Sequence, residues 1–149
     1  MRAVVQRVVQ ASVSVEGETV GKIDRGLLVF LGAGKEDGEN DVRWMADKLA
    51  GLRIFPDSRG KMSLSAEETG ASLLVVSQFT VYGDVHRGRR PSFDNAAPPG
   101  PAEQMYLGVC KQLREIGLRV ETGRFRAMMD VRAQLDGPVT ILVDSKRSF

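Results

Sequence analysis

Two short apolar runs constrain this chain more than any other feature. Leu27-Leu28-Val29-Phe30-Leu31 stands unbroken between Gly26 and Gly32, and Leu73-Leu74-Val75-Val76 follows Ser72. Runs of this length without polar alternation fit strands buried on both faces. The remaining segments supply what covers them. Ser12-Val13-Ser14-Val15 alternates with period two, Glu16-Gly17-Glu18 is a turn signal, and Val20 to Ile23 returns. Asn40 or Asp41 can cap a helix, because a short side-chain oxygen satisfies free N–H groups of the first turn. Val42, Met45, Leu49 and Leu52 then follow at helical spacing. Arg53-Ile54-Phe55 reads as a strand, Pro56 to Gly60 as a turn, and Met62 and Leu64 alternate with serines. A second helix starts near Pro101 or Ala102, carries the stripe Tyr106, Val109, Leu113 and Ile116, and closes at Gly117. Short strands are expected around Leu118-Arg119-Val120, Met128 to Val131 and Val139 to Val143. The expected fold is α/β: one domain over residues 1–149, of mixed, largely antiparallel sheets with two main helices. So many short strands leave exposed edges, and dimerisation is one way to cover them.

Composition removes several classes. No apolar run approaches the roughly 18 residues of a membrane-spanning helix. Gln6 and Arg7 interrupt the N-terminus before a signal-peptide core can form. One cysteine cannot form an internal disulfide, so a reducing cytoplasm is the natural setting. With one cysteine and one histidine, soft ligands are too few for a usual zinc site, and no metal or other cofactor is expected. A net charge of +2 does not announce a nucleic-acid binder, so charge placement has to carry that argument.

Several motifs have a plain structural reading. Gly32, Gly34 and Gly38 miss the spacing of a dinucleotide loop by one residue. Glu36, Asp37 and Glu39 would repel a pyrophosphate, which leaves a flexible surface turn. Cys110, beside Val109 on the second helix, reads as a small buried hydrophobe. His86 has no G-x-S-x-G partner and reads as a solvated loop histidine. The segment Asp84 to Arg90 holds Arg87, Arg89 and Arg90 against one aspartate. Such a patch suits phosphate oxygens, and a solvated loop explains it equally well. Lys146 and Arg147 form either a second patch or a polar tail. Ser77-Gln78-Phe79-Thr80 ends a buried strand with small polar groups and one aromatic, the kind of place where sites form. Asp136-Gly137-Pro138 reads first as a turn. On residues alone, the chain is an enzyme or a binding protein with a site near Ser77 to Thr80.

Those two segments together resemble the D-aminoacyl-tRNA deacylase family, formerly described as D-tyrosyl-tRNA deacylases, through its S-Q-F-T and N-x-G-P-V-T motifs. Here they stand as Ser77-Gln78-Phe79-Thr80 and Leu135-Asp136-Gly137-Pro138-Val139-Thr140, and Leu135 departs from the family's Asn. Val5-Gln6-Arg7-Val8, Arg53-Ile54-Phe55, Gly60-Lys61-Met62, Arg90-Pro91-Ser92-Phe93 and Thr122-Gly123-Arg124-Phe125 extend the similarity along nearly the whole chain. The resemblance implies a homodimer that hydrolyses the ester between a D-amino acid and the 3′-terminal adenosine of tRNA, with no membrane and no DNA partner. It implies a cis Gly137-Pro138 bond whose carbonyls enter the partner subunit's site and exclude L side chains by bulk, leaving glycine free to pass. It implies that main-chain N–H groups near Phe79 and Thr80 stabilise the oxyanion and that the adenosine 2′-hydroxyl helps to activate water. Phe79 would flank the adenine, and Ala102, Phe125 and Met129 would line the pocket. Ser77, Gln78 and Thr80 would hold the ribose, the amine or the wall, and Arg87, Arg89 and Arg90 would meet acceptor-stem phosphates. A Thr- or Ser-nucleophile esterase and a non-catalytic RNA-binding module are the alternatives.

Overall fold

The computed structural model describes residues 1–149. In chain order the elements are β1 (Arg2–Val15), β2 (Glu18–Ile23), β3 (Gly26–Gly32), α1 (Glu39–Gly51), β4 (Phe55–Pro56), β5 (Met62–Leu64), α2 (Ala66–Thr69), β6 (Ser72–Ser77), a 3₁₀ turn (Phe79–Tyr82), α3 (Pro99–Glu115), β7 (Val120–Thr122) and β8 (Asp130–Asp144). The main sheet runs β2-β1-β3-β6-β7, with β8 on β1, while β4 and β5 form a separate ribbon. β1 is antiparallel to β2, β3 and β8. β6 is parallel to both β3 and β7, so α1 and α3 lie within the connections that carry the chain between parallel strands. No helix is long and apolar enough to cross a membrane.

The central runs behave as their composition requires. Leu27, Val29 and Leu31 join Leu73 and Val75 in the larger core beneath the helices, with Met45, Leu49, Val109 and Leu113. Leu28, Leu74 and Val76 point the other way, into a smaller core with Val8, Ala11, Val13 and Ile23. Alternation along a strand with an apolar layer on either face gives this division. The β1–β2 turn forms at Glu16 and Gly17, both at positive φ, 52° and 81°.

Four local expectations are corrected. Helix α1 is preceded by Gly38 at its N-cap; Asp41 acts from the third helical position, its Oδ2 accepting the Gly38 N–H at 2.9 Å. Helix α3 begins at Pro99, ahead of Pro101, since prolines cost nothing where helical N–H groups have no partner. Its buried face uses Cys110 with Tyr106, Val109 and Leu113, while Ile116 is exposed. The last two expected strands are one, because β8 runs through Gly137 and Pro138 and pairs with β1 on either side of them. Register shifts between Gln6 and Val8 and between Val8 and Gln10 absorb the irregularity.

Gly32 and Gly34 are not a flexible turn. A Cβ on Gly32 would stand 2.4 Å from Val81 Cγ2 and 2.8 Å from the Gln78 carbonyl oxygen; one on Gly34 would stand 2.7 Å from the Tyr82 hydroxyl. The missing side chains let the 3₁₀ turn press onto the end of β3. Asp37 is equally far from a surface role: its buried carboxylate takes the Met1 ammonium at 2.7 Å, the Tyr82 hydroxyl at 3.0 Å and the Gly34 N–H at 2.6 Å.

Candidate functional site

The end of β6 and the turn after it open into the main cleft of the molecule, about 550 Å³ in volume and lined mostly by apolar side chains. Ser77, Gln78, Phe79 and Thr80 line it together with Ala102, Phe125 and Met129, so seven of the expected site residues converge from three separate parts of the chain. Ser77 ends β6, where its partner Leu31 ends the pairing with β3. The Gln78 N–H donates to the Leu31 carbonyl at 2.8 Å, which pins the start of the turn to the sheet. Phe79 and Thr80 then open the 3₁₀ turn, and the first N–H groups of such a turn have no partner inside it. The Gln78 side-chain amide donates to Thr80 Oγ1 at 2.9 Å, fixing both side chains at the mouth. Phe79 is 56% exposed and packs edge-on against Phe93, centroids 5.0 Å apart at 73°. Its free face is an aromatic platform.

The floor is held by α3. Tyr106 donates its hydroxyl to the Val75 carbonyl at 2.9 Å and lies 6.1 Å, centroid to centroid, from Phe125. Burial raises the Tyr106 hydroxyl above the usual tyrosine range. Cys110, a turn further along the helix, is buried as expected, and burial pushes its thiol up to about 11. A protonated, enclosed thiol is no nucleophile.

His86 lies outside the cleft. Its side chain is 91% exposed, its N–H donates to Asp84 Oδ1 at 2.8 Å, and its Nδ1 lies 2.6 Å from the same oxygen. These hydrogen bonds hold the Asp84 carboxyl below its ordinary range. Arg87, Arg89 and Arg90 are exposed on the same loop and do not reach the cleft. Asp84 and Ser92 pair main chain to main chain at its base, ahead of Phe93.

Gly137 and Pro138 are joined by a cis peptide bond, with Gly137 at φ 121°. Neither lines the cleft of its own chain. Sequence reasoning missed what holds this segment. Arg7, buried on β1, donates through Nη1 to the Ile54 carbonyl at 2.6 Å and sets Nε 3.0 Å from Asp136 Oδ2. That Nε makes no hydrogen bond, so its contact with Asp136 is an ion pair of poor angle. Nη2 of Arg7 would lie 3.2 Å from a Cβ on Gly137. On the far side Thr140 Oγ1 donates to Gln6 Oε1 at 2.6 Å. Leu135, half-exposed opposite Val8, contributes no side-chain hydrogen bond. Charged and amide groups from β1 therefore brace the segment without an Asn at 135. Only the nearness of Arg7 and Gln6 to the chain start hinted at this, through the expected similarity of Val5-Gln6-Arg7-Val8.

The chain is similar to known proteins along nearly its whole length. The family model described as D-Tyr-tRNA(Tyr) deacylase matches residues 4–144. The chain is 59% identical over 149 residues to a D-aminoacyl-tRNA deacylase of Thermotoga petrophila, covering 100% of both. It is 58% identical, again over 100% of both, to a D-aminoacyl-tRNA deacylase of Anaeromyxobacter dehalogenans. A solved structure described as a c-Myc DNA unwinding element binding protein superposes with a TM-score of 0.91 at 42% identity, covering 97% of this chain and 98% of that one. A match of this extent, on a fold that gathers the S-Q-F-T residues at its main cleft, shows that the chain belongs to the D-Tyr-tRNA(Tyr) deacylase family of hydrolases.

Proposed function

We propose that the protein hydrolyses the ester joining a D-amino acid to the 3′-terminal adenosine of tRNA, releasing the D-amino acid and free tRNA. The observation that carries this is the convergence of Ser77, Gln78, Phe79 and Thr80 with Ala102, Phe125 and Met129 on one apolar cleft in a member of this family. The exposed face of Phe79 suits an adenine, since every base has a π-face. An aminoacyl ester is already activated. A placed water, helped by the adenosine 2′-hydroxyl, and main-chain N–H groups at Phe79 and Thr80 that meet the tetrahedral oxyanion then suffice. No base stands ready to make Thr80 or Ser77 a nucleophile, because His86 lies on the solvent side with Asp84.

Selection against L substrates follows from exclusion. An apolar pocket distinguishes one methylene by only about 1–3 kcal/mol, too little to spare abundant L-aminoacyl-tRNA by affinity. The main chain of Gly137 and Pro138, braced by Arg7 and supplied to the cleft by a second copy, acts as a wall that an L side chain would have to enter. A D side chain points away, and glycine has nothing to exclude. On this reading the protein is a cytoplasmic homodimer that recognises the tRNA 3′ end, with Arg87, Arg89 and Arg90 toward acceptor-stem phosphates, and neither DNA nor a membrane is a partner.

Matched D- and L-aminoacyl-tRNA, incubated with the protein and followed by release of amino acid, test the reading. Release of the D-amino acid alone is expected. No release at stoichiometric protein would leave an RNA-binding module, and equal release of both enantiomers would remove the wall. A covalent acyl species trapped on Thr80 or Ser77 would replace the water mechanism with a nucleophilic one.

A further inference from the structure

Among the residues lining the cleft, Arg126 alone carries an ionised side chain. It is exposed and forms no ion pair, and the carboxylates closest in sequence are already engaged: Glu121 with Arg119 at 3.3 Å and Asp130 with Arg132 at 3.0 Å. Its backbone sits at φ 60°, a left-handed conformation in which glycine rests without strain and an arginine does not. Strained non-glycine residues concentrate where a side chain is put to use. An unpaired guanidinium is thus held, against local preference, between Phe125 and Ala127 at the edge of a cavity whose one other charge, the Met1 ammonium, is already paired with Asp37.

We propose that Arg126 binds the 5′-phosphate of the substrate's terminal nucleotide, an inference that rests on the deacylase reading of the same cleft. If the ester lies at Ser77 to Thr80 and the base at Phe79, the phosphodiester to the preceding nucleotide has to leave across the cleft's rim. The planar donor fork of arginine matches phosphate oxygens in pairs, and the lining holds no carboxylate to compete for it. The contact adds affinity for any tRNA end without reading sequence.

Two small substrates isolate the contact: the 3′-D-phenylalanyl esters of adenosine and of adenosine 5′-monophosphate. The unaltered protein is expected to show a KM about tenfold lower for the phosphorylated ester, as one charge-assisted pair would give. In Arg126→Gly, which relieves the φ strain and so retains the fold, that preference falls to within about twofold; Arg126→Lys keeps part of it. Calorimetric binding of adenosine and its 5′-monophosphate should lose the same preference. With D-aminoacyl-tRNA, the slope of log KM against log salt should fall by about 0.7 in Arg126→Gly. A preserved phosphate preference in Arg126→Gly, or an equal loss with both esters, overturns the proposal. If the unaltered protein cleaves neither ester and no D-aminoacyl-tRNA, the deacylase reading itself falls, and this inference with it.

Discussion

Gly32 lines the cleft without a side chain to offer it, yet the position of Phe79 and Thr80 depends on that absence. A methyl group there would meet Val81 and the Gln78 carbonyl, and neither can retreat without moving the turn. Gly32→Ala is expected to lower kcat by about 100-fold while the protein stays folded by circular dichroism, because misplacing a site by about an ångström costs that much. Arg7 braces the segment of which the proposed wall is made. Arg7→Met removes the hydrogen bond to Ile54 and the charge facing Asp136, and should cost about 2 kcal/mol in a denaturant titration. Its selective consequence is faster release from L-aminoacyl-tRNA, read in the paired enantiomer assay. Little of this was legible in the chain. The S-Q-F-T residues announced themselves as polar groups closing an apolar strand. Gly32 and Gly34 looked like a loop, because close approach by a distant turn leaves no local mark. Arg126 carries no mark in the sequence, because only φ and the cleft around it give it meaning.

Helix α1 shows how an element is tied down by parts of the chain far from it. Asp41 accepts from Ser145 at 2.6 Å, from Lys146 at 2.9 Å and from the Gly38 N–H, so one carboxylate joins the helix start to the C-terminal tail. Burial alone would raise its pKa, but these donors outweigh burial and hold it at about 2. A folded value below the unfolded one of about 3.9 means that the contribution is complete above about pH 4 and disappears as the pH falls through about 2. The amount is on the order of 1–2 kcal/mol for this partly screened group. Denaturant midpoints taken from pH 6 to pH 2 should fall less steeply in Asp41→Asn, which starts lower and has less to lose. Helices α1 and α3 were readable because their apolar residues recur at helical spacing, within a few positions of their true ends. Strand β8 was not readable as one element. Asp136-Gly137-Pro138 carries every local mark of a turn, and only pairing with β1 on both sides of it, up to Leu135 and again from Thr140, makes it part of one strand.

At the scale of the molecule, β8 pairs with β1 on one side and with nothing on the other. Leu135 and Leu142 are exposed along it at 45% and 59%. A long, open, partly apolar edge invites pairing with another chain, and the proposed dimer answers that invitation. Leu142→Asp should therefore sediment as a monomer where the unaltered chain sediments as a dimer, and should lose deacylation with it. Subunit mixing asks whether the site is shared. Thr80→Ala damages the cleft and Gly137→Ala damages the wall, the latter because a Cβ would stand 2.9 Å from Val139 at φ 121°. If each cleft takes its wall from the partner, equal mixing of the two inactive chains restores roughly a quarter of full activity, through mixed dimers holding one sound site. If cleft and wall belong to the same chain, mixing restores nothing. The enclosed Cys110 also has a practical use. As the only cysteine, and with its thiol both buried and protonated at neutral pH, it leaves the native protein silent to maleimide dyes. A cysteine installed at Met128, 93% exposed between the cleft residues Ala127 and Met129, would then accept a fluorophore at one defined point and report on tRNA arriving there.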